Sequence, residues 1–351
     1  MTRAFLRSSV VAMSGYVPGE QPQDRRYVKL NTNENPYPPS PRVLAAVRAA
    51  ADEDLRLYPD PSANALRDCA AGVYGVQRDN VLVGNGSDEL LSLIVRACVG
   101  PGDRVVFPYP TYSLYDTLVT LQEGDLLHLP YPPDFSLPPA LAAAGGRITF
   151  VCHPNSPSGT PVAIDSVRAL AQQVTGLLVV DEAYVDFADA TALPLIHEFD
   201  HIIVLRTFSK SFSLAGMRIG LAFGAPAVIA ELLKVKDSYN VSRLGLVAAT
   251  AALRDYEWMQ ANVARIRRTR AELIRALQDR AFSVLPSQSN FVLARRSGQD
   301  LEELYRALKA KGVLVRYFPI PSLRDALRIT VGTDDEVAAL LRALDDLRAM
   351  A

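Results

Sequence analysis

The sequence predicts an α/β protein, in which a mainly parallel sheet covered by helices is followed by a smaller α+β unit. Three observations carry this. Short apolar runs alternate with helical patterns from about residue 40 to residue 240. Those runs lack period-two alternation, as expected of strands buried on both faces. Beyond residue 280 the order changes to short strands interleaved with two helices that have a core of their own. A chain of 351 residues is long for one core and suits one large and one small unit.

Residues 1–39 read as irregular and extended, and PYPPSP (36–41) is too rich in proline for helix or ladder. A helix is expected from Ser40, with Pro41 in its first turn, through VLAAVRAAA. The predicted strands are VLV (81–83), RVVF (104–107), ITFVC (148–152), LLVVD (177–181), IIVLR (202–206) and IGLAF (219–223). A long helical stretch over roughly 241–279 is expected to connect the two units. The tail reads as strands FSVL, NFVLA, VLVRY and LRITV, with helices at 299–311 and at the end. The expected division is an arm at 1–39 that joins the small unit, a large unit at 40–245 and a small unit at 246–351.

Composition narrows the function classes. Hydrophobic residues make up 49% of the chain and charged residues 21%, an ordinary globular balance. A net charge of −1 leaves no basic surplus for nucleic acid or an anionic membrane. The apolar VVAM near the start is too short for a signal segment, and no stretch is long enough to cross a bilayer. Cys69, Cys98 and Cys152 are odd in number and far apart. They suit neither a disulfide framework nor a zinc cluster, and the expected setting is a reducing cytoplasm.

Ligands of open α/β sheets gather beyond the carboxyl ends of the strands. VLV runs into GNGSDE (84–89), whose glycines permit a tight turn and whose Ser87 and Asp88 suit a helix start. Such a helix offers N–H groups and a positive dipole end to an anion, although a plain strand–turn–helix corner would look the same. LLVV runs into DEAY (181–184), where buried Asp181 needs a partner. A salt bridge or helix cap would serve, and so would a protonated ring nitrogen. IIVLR runs into TFSKSFSLAGMRIG (207–220). There Lys210 is flanked by Thr207, Ser209, Ser211 and Ser213, with Arg218 suited to a phosphate. A lysine amine in such a setting can bond covalently to a carbonyl cofactor. HEFDH (197–201) formally matches the H-E-x-x-H zinc pattern. Pro194 before it and a strand after it leave no helix to present both histidines, so a solvated loop is expected.

LNTNENPY (30–37), YPD (58–60), GNGSDE, DEAY, RTFSKSFSLAGMRIG (206–220) and LRITVGT (327–333) occur in an order shared with a known family. With GYVPGE (15–20) they extend over nearly the whole chain, which resembles pyridoxal-phosphate-dependent aminotransferases of the aspartate-aminotransferase fold, nearest to the histidinol-phosphate branch. The resemblance implies the type I fold, with a seven-stranded sheet, and pyridoxal 5'-phosphate as cofactor. Lys210 is then the Schiff-base lysine, Asp181 the partner of the pyridinium nitrogen and Tyr184 the donor to the ring hydroxyl oxygen. Gly86, Ser87, Asp88, Thr207, Ser209 and Arg218 form the phosphate cup, and Tyr112 stacks on the ring. Tyr58 crosses a homodimer interface to the neighbour's cofactor phosphate. Arg328, Arg316 and Tyr16 face the substrate, with Asn33 and Asn85 in the same pocket. One position departs from the pattern. The family places Asn directly before Pro in an NPTG-like turn, whereas HPNSPSG (153–159) has Ser156 before Pro157. Asn155, one position earlier, is the expected substitute.

The implied reaction transfers the amino group of L-histidinol phosphate to 2-oxoglutarate. Aromatic aminotransferases and threonine-phosphate decarboxylases share the motif order and are the alternatives. A non-catalytic cofactor-binding regulator is disfavoured by intact Lys210 and Asp181.

Overall fold

The computed structural model describes residues 5–349. Residues 1–4 and 350–351, which the sequence assigns to the arm and to the small unit, lie outside the described residues. The arm is less irregular than expected, with a helix at Ser8–Ala12 and strand β1 at Val28–Lys29. Both are too short to show a period in sequence.

Seven strands then build the large sheet. They are β2 (Val81–Gly84), β3 (Arg104–Tyr109), β4 (Asp125–Pro130), β5 (Ile148–Cys152), β6 (Leu177–Asp181), β7 (Ile202–Thr207) and β8 (Gly220–Gly224). Their order across the sheet is β2-β8-β7-β6-β5-β3-β4. β8 runs antiparallel to both neighbours, and every other pairing is parallel. Six of the strands are the apolar runs of the sequence. The seventh, β4, lies at the sheet edge, has no fully buried residue and carries Asp125, His128 and Pro130. An edge strand of this kind has no need of a continuous apolar run.

Successive residues of the central strands feed two cores on opposite faces. Leu178 and Val180 of β6 join one and Val179 the other, as do Ile202 and Val204 against Ile203 and Leu205 of β7. Burial on both sides is why these runs read as apolar throughout. Ser40 caps the helix Pro41–Ala50, accepting from the Arg42 N–H at 3.0 Å. The single helical stretch expected at 241–279 is two helices, Arg243–Arg254 and Tyr256–Gln278, separated by Asp255. Asp255 leaves the helical region at φ −121° and ψ 45°. Its carboxylate accepts from the Ser40 hydroxyl and lies 3.7 Å from Arg42, so a tertiary contact redirects the chain.

The tail forms β9 (Ser283–Val284), β10 (Phe291–Arg295), β11 (Val313–Leu314), β12 (Arg316–Tyr317) and β13 (Ala326–Thr330). Four of these make an antiparallel sheet in the order β12-β13-β10-β9, while β11 pairs in parallel with β1 of the arm. VLVRY, expected as one strand, is therefore divided at Val315 between two sheets.

The start of the helix Gly86–Cys98 lies directly against β8. A Cβ on Gly220 would stand 2.5 Å from the Ser87 nitrogen and 2.6 Å from the Gly86 carbonyl carbon. Neither is a flexible side chain that yields. Gly220→Ala should therefore lower the unfolding free energy by roughly 1–3 kcal/mol in urea titration, the usual cost of overpacking. An unchanged midpoint would show that β8 and the helix start separate freely.

Candidate active site

The carboxyl ends of β2, β3, β5, β6 and β7 converge on a cavity of about 240 Å³. The start of β8 reaches the same edge because that strand runs in the opposite direction. Lys210, three residues beyond β7, projects into this cavity. Its Nζ donates to the Thr32 carbonyl at 3.3 Å and lies 5.7 Å from the centre of the Tyr184 ring. Burial, reinforced by Arg328 and Arg218, lowers the pKa of the amine to about 8, against the pull of Glu34 and Asp88.

Asp181 is the last residue of β6 and is 3% exposed. Oδ2 accepts from the Tyr115 hydroxyl at 2.7 Å and Oδ1 from the Ala183 N–H at 3.1 Å. Burial raises its pKa to about 6, and Asp88 and Glu182 add to the rise, while those two hydrogen bonds oppose it. It has no cation among these contacts, so a protonated heterocyclic nitrogen would supply what the site lacks. Tyr184 stands beside it on the cavity wall, and its hydroxyl accepts from Asn33 Nδ2 at 2.9 Å. The O–H of Tyr184 is thereby left to donate.

An anion cup lies at the start of the helix Gly86–Cys98. Asn85, at the cap position, makes no side-chain cap bond, so that end is left open to another acceptor. Ser87, Thr207, Ser209 and Arg218 surround it. Thr207 Oγ1 donates to Ser209 Oγ at 3.1 Å, and Arg218 Nη1 reaches the same oxygen at 3.4 Å. Arg218 Nη2 is held by Asp88 Oδ2 at 3.1 Å, and Asp88 Oδ1 accepts from the Tyr112 hydroxyl at 3.0 Å. The Asp88 carboxylate thus orients Arg218 and Tyr112, leaving its backbone N–H for an anion. Gly86, at φ +80°, lies directly against Arg218: a Cβ there would lie 2.6 Å from its Nη2.

The opposite wall comes from β12 and β13, where Arg316 and Arg328 are directly opposed cross-strand partners. Arg316 donates to the Val17 and Pro18 carbonyls, each at 3.0 Å. Arg328 donates to the Asn31 carbonyl at 2.9 Å and to Ser156 Oγ at 3.3 Å. Among the described residues both guanidiniums bond only to neutral oxygens, which leaves their charge for an anionic ligand. Tyr16 completes this side, edge-on to Tyr112 at 5.8 Å. Asn33 is held in the left-handed region at φ 58° by Thr330 and Asn290.

Four expected residues are not brought to the cavity wall, and Gly86, which lies against Arg218, is one of them. Asn155 uses its side chain elsewhere, accepting from Thr111 Oγ1 at 2.8 Å and donating to Ser158 Oγ at 2.9 Å and to the Pro110 carbonyl at 3.3 Å. Ser156 and Pro157 line the cavity instead. The Asn155 amide is fully engaged, by Thr111 and Pro110 beyond β3 and by Ser158 of its own turn, and does not line the cavity. Asn85 turns outward and donates to the Asn240 carbonyl at 3.1 Å. Tyr58 is 79% exposed and stacks on Tyr239 at 4.3 Å, outside the cavity of its own chain. Thr32, Glu34, Thr111 and Phe318 line the cavity without having been singled out in sequence. Glu34 had a signal, a carboxylate inside LNTNENPY, and it accepts from Lys29 and Thr32. Tyr115, buried and bonded to Asp181, had none beyond its place in PTYSLY.

A larger cavity, of about 880 Å³, lies elsewhere and includes Asp186, Arg206 and His197. Size alone would select it, but it holds neither the lysine nor the helix start. His197, of HEFDH, ends a short helical turn, and His201 Nε2 is engaged with the Ala171 carbonyl at 3.0 Å.

A buried carboxylate with no cation among these contacts, a lysine of lowered proton affinity and an open phosphate cup fit the three parts of pyridoxal phosphate. The profile of the family described as aminotransferase class I and II matches residues 25–344. The chain is 48% identical over 345 residues to histidinol-phosphate aminotransferase 1 of Trichormus variabilis, covering 98% of this chain and 99% of that one. It is 44% identical over 343 residues to histidinol-phosphate aminotransferase of Citrifermentans bemidjiense, covering 97% and 98%. Among solved structures it is similar to histidinol-phosphate aminotransferase from Sinorhizobium meliloti in complex with pyridoxal-5'-phosphate, with a TM-score of 0.86, 32% identity and 93% of each chain covered. Matched in sequence and in fold along nearly its whole length, the chain belongs to the class I and II aminotransferases.

Proposed function

We propose that this protein is a pyridoxal-phosphate-dependent transaminase that converts L-histidinol phosphate and 2-oxoglutarate to imidazole-acetol phosphate and L-glutamate in histidine biosynthesis. The observation that carries the reading is Lys210, buried with a lowered pKa in one cavity with Asp181 and two arginines that lack carboxylate partners among the described residues. The relatives named above support the donor. When bound, pyridoxal phosphate supplies an aldehyde that bonds to amines and a ring that takes up electrons.

The chain's own residues do the rest. Ser87, Thr207, Ser209, Arg218 and the helix start hold a phosphate, and Asp181 holds a proton on a ring nitrogen. Tyr184 donates to a ring oxygen, and Tyr112 packs on a ring face. Lys210 Nζ, uncharged above its lowered pKa, takes a proton from the substrate Cα and returns it to the acceptor carbon. Arg316 and Arg328 grip the phosphate of the donor and then a carboxylate of the 2-oxo acid, because a guanidinium fork suits either anion. Tyr58 serves the cup of a second subunit in a homodimer. The cofactor belongs to a unit at 40–245 and the substrate arginines to a unit at 246–351 with the arm. Two observations support that division: the seven-stranded sheet is confined to residues 81–224, and β1 pairs with β11. The absence of a helix long and apolar enough to cross a membrane, among the described residues, agrees with work in the cytoplasm but does not establish it.

Lys210→Ala should abolish amine transfer, by more than about a thousandfold, and remove the visible band that appears when pyridoxal phosphate is added to wild type. Equal spectra and equal activity would refute the proposal. A panel of L-histidinol phosphate, phenylalanine and O-phosphothreonine tests the donor, and preference for either of the last two would reassign it. Arg328→Lys should raise KM for L-histidinol phosphate about ten- to a hundredfold, with a smaller effect on kcat, as expected for losing a charged fork. In the cofactor-free protein, pulsed acetylation read by mass spectrometry should label Lys210 increasingly as pH rises through about 8 and then level off. Its amine reacts only when deprotonated, so the rise should precede that of surface lysines, which titrate near ~10.4. Sedimentation should show a dimer; a fully active monomer would remove Tyr58 from the site.

A further inference from the structure

Lys210 lies on the segment after β7, Asp181 and Tyr184 lie together on the segment that ends β6, and one largely buried polar network ties the two segments together. Ser211, next to Lys210, donates its hydroxyl to Asp186 Oδ2. Asp186 sits in the turn Val185–Phe187 that follows Tyr184, and its Oδ1 lies 3.9 Å from Arg206 Nη1. Arg206 donates from Nε at 3.3 Å and from Nη2 at 3.2 Å to Glu182 Oε2. Glu182, next to Asp181, has a side chain that is 0% exposed and also accepts from Thr191 Oγ1 at 2.9 Å. From the other side of the loop, Asn35 Nδ2 donates to the Lys210 carbonyl at 3.1 Å and the Ser211 carbonyl at 3.0 Å. The loop is therefore clamped from two directions, and Ser211 itself does not reach the cavity.

A buried ion pair contributes little net stability compared with apolar packing, so geometry is the stronger rationale for this one. We propose that Ser211 and Asp186, tied through Arg206 to Glu182, are positioning residues that fix the Lys210 amine relative to Asp181 and Tyr184. This rests on the proposed role of Lys210 in covalent attachment and proton transfer. A displacement of about 1 Å at such an amine is enough to cost on the order of a hundredfold in rate.

The test compares holoenzymes of wild type, Ser211→Ala, Asp186→Asn, the double variant and Ser213→Ala. Ser213 is a matched control, since its hydroxyl is in the same loop and has no hydrogen-bond partner among the described residues. Ser211→Ala should lower kcat roughly ten- to a hundredfold with KM for L-histidinol phosphate within about twofold. The circular dichroism of the bound-cofactor band, a readout of how rigidly the cofactor is held, should weaken in parallel. Asp186→Asn should do the same, and the double variant should lose little more than Ser211→Ala, because the two act as one unit. Ser213→Ala should match wild type in both readouts. A lower melting temperature with unchanged kcat and unchanged dichroism in Ser211→Ala would overturn the inference, as would multiplicative losses in the double variant. If wild type itself showed no cofactor band and no amine transfer, the proposed function would fail instead.

Discussion

A carboxylate buried at the end of a strand, with no cation bonded to it among the described residues, is the constraint on which the rest of this molecule depends. Asp181 and Glu182 are adjacent, both buried, and satisfied in opposite ways. Glu182 has Arg206 against it and is complete within the protein. Among the described residues Asp181 has only the Tyr115 hydroxyl and the Ala183 N–H, and its proton affinity is raised by burial. The fold supplies the second carboxylate with a cation and leaves the first to take one from outside. That asymmetry makes the end of β6 a place where a protonated ring nitrogen gains more than water offers it.

The opposite wall has the complementary arrangement. Arg316 and Arg328 are cross-strand partners in β12 and β13, and like charges directly opposed weaken a sheet pair. Among the described residues both have only neutral oxygens as hydrogen-bond partners, so their repulsion persists until an anion arrives. Lys210 lies in the field of Arg328, which adds to burial in lowering its proton affinity. A cationic wall, an open helix start and an amine of lowered proton affinity therefore belong to one electrostatic design. Both sides suit anionic groups, and the amine between them gives up its proton more readily than a surface lysine does. Backbone conformations agree, since Asn33 and Arg218 both occupy the left-handed region, at φ 58° and 56°. Such residues persist where surrounding bonds over-determine them, as Thr330 and Asn290 do for Asn33.

Much of this was legible in the sequence, for a reason specific to the fold. Strands buried on both faces must be apolar, so the first polar residues after them mark the sheet's carboxyl edge. GNGSDE, DEAY and TFSK stand out on that ground alone, and the structure brings Ser87, Asp181, Tyr184, Thr207 and Lys210 to one cavity. Six of seven large-sheet strands were legible because burial on both faces leaves a continuous apolar signature. β4 was not, because an edge strand is free of that requirement.

The sequence by itself thus determined the identity of the central strands, the end of the sheet where chemistry collects and the residue types offered there. Local burial dictates all three. The tertiary structure alone decided what depends on pairing across long separations. It broke the helical stretch at Asp255 through a contact with Ser40, divided VLVRY between two sheets and set the register that opposes Arg316 to Arg328. It also engaged Asn155 with Thr111 and Pro110 and placed Tyr115 on Asp181. None of these leaves a local trace, because a side chain's hydrogen-bond partner is chosen by which distant segment folds against it.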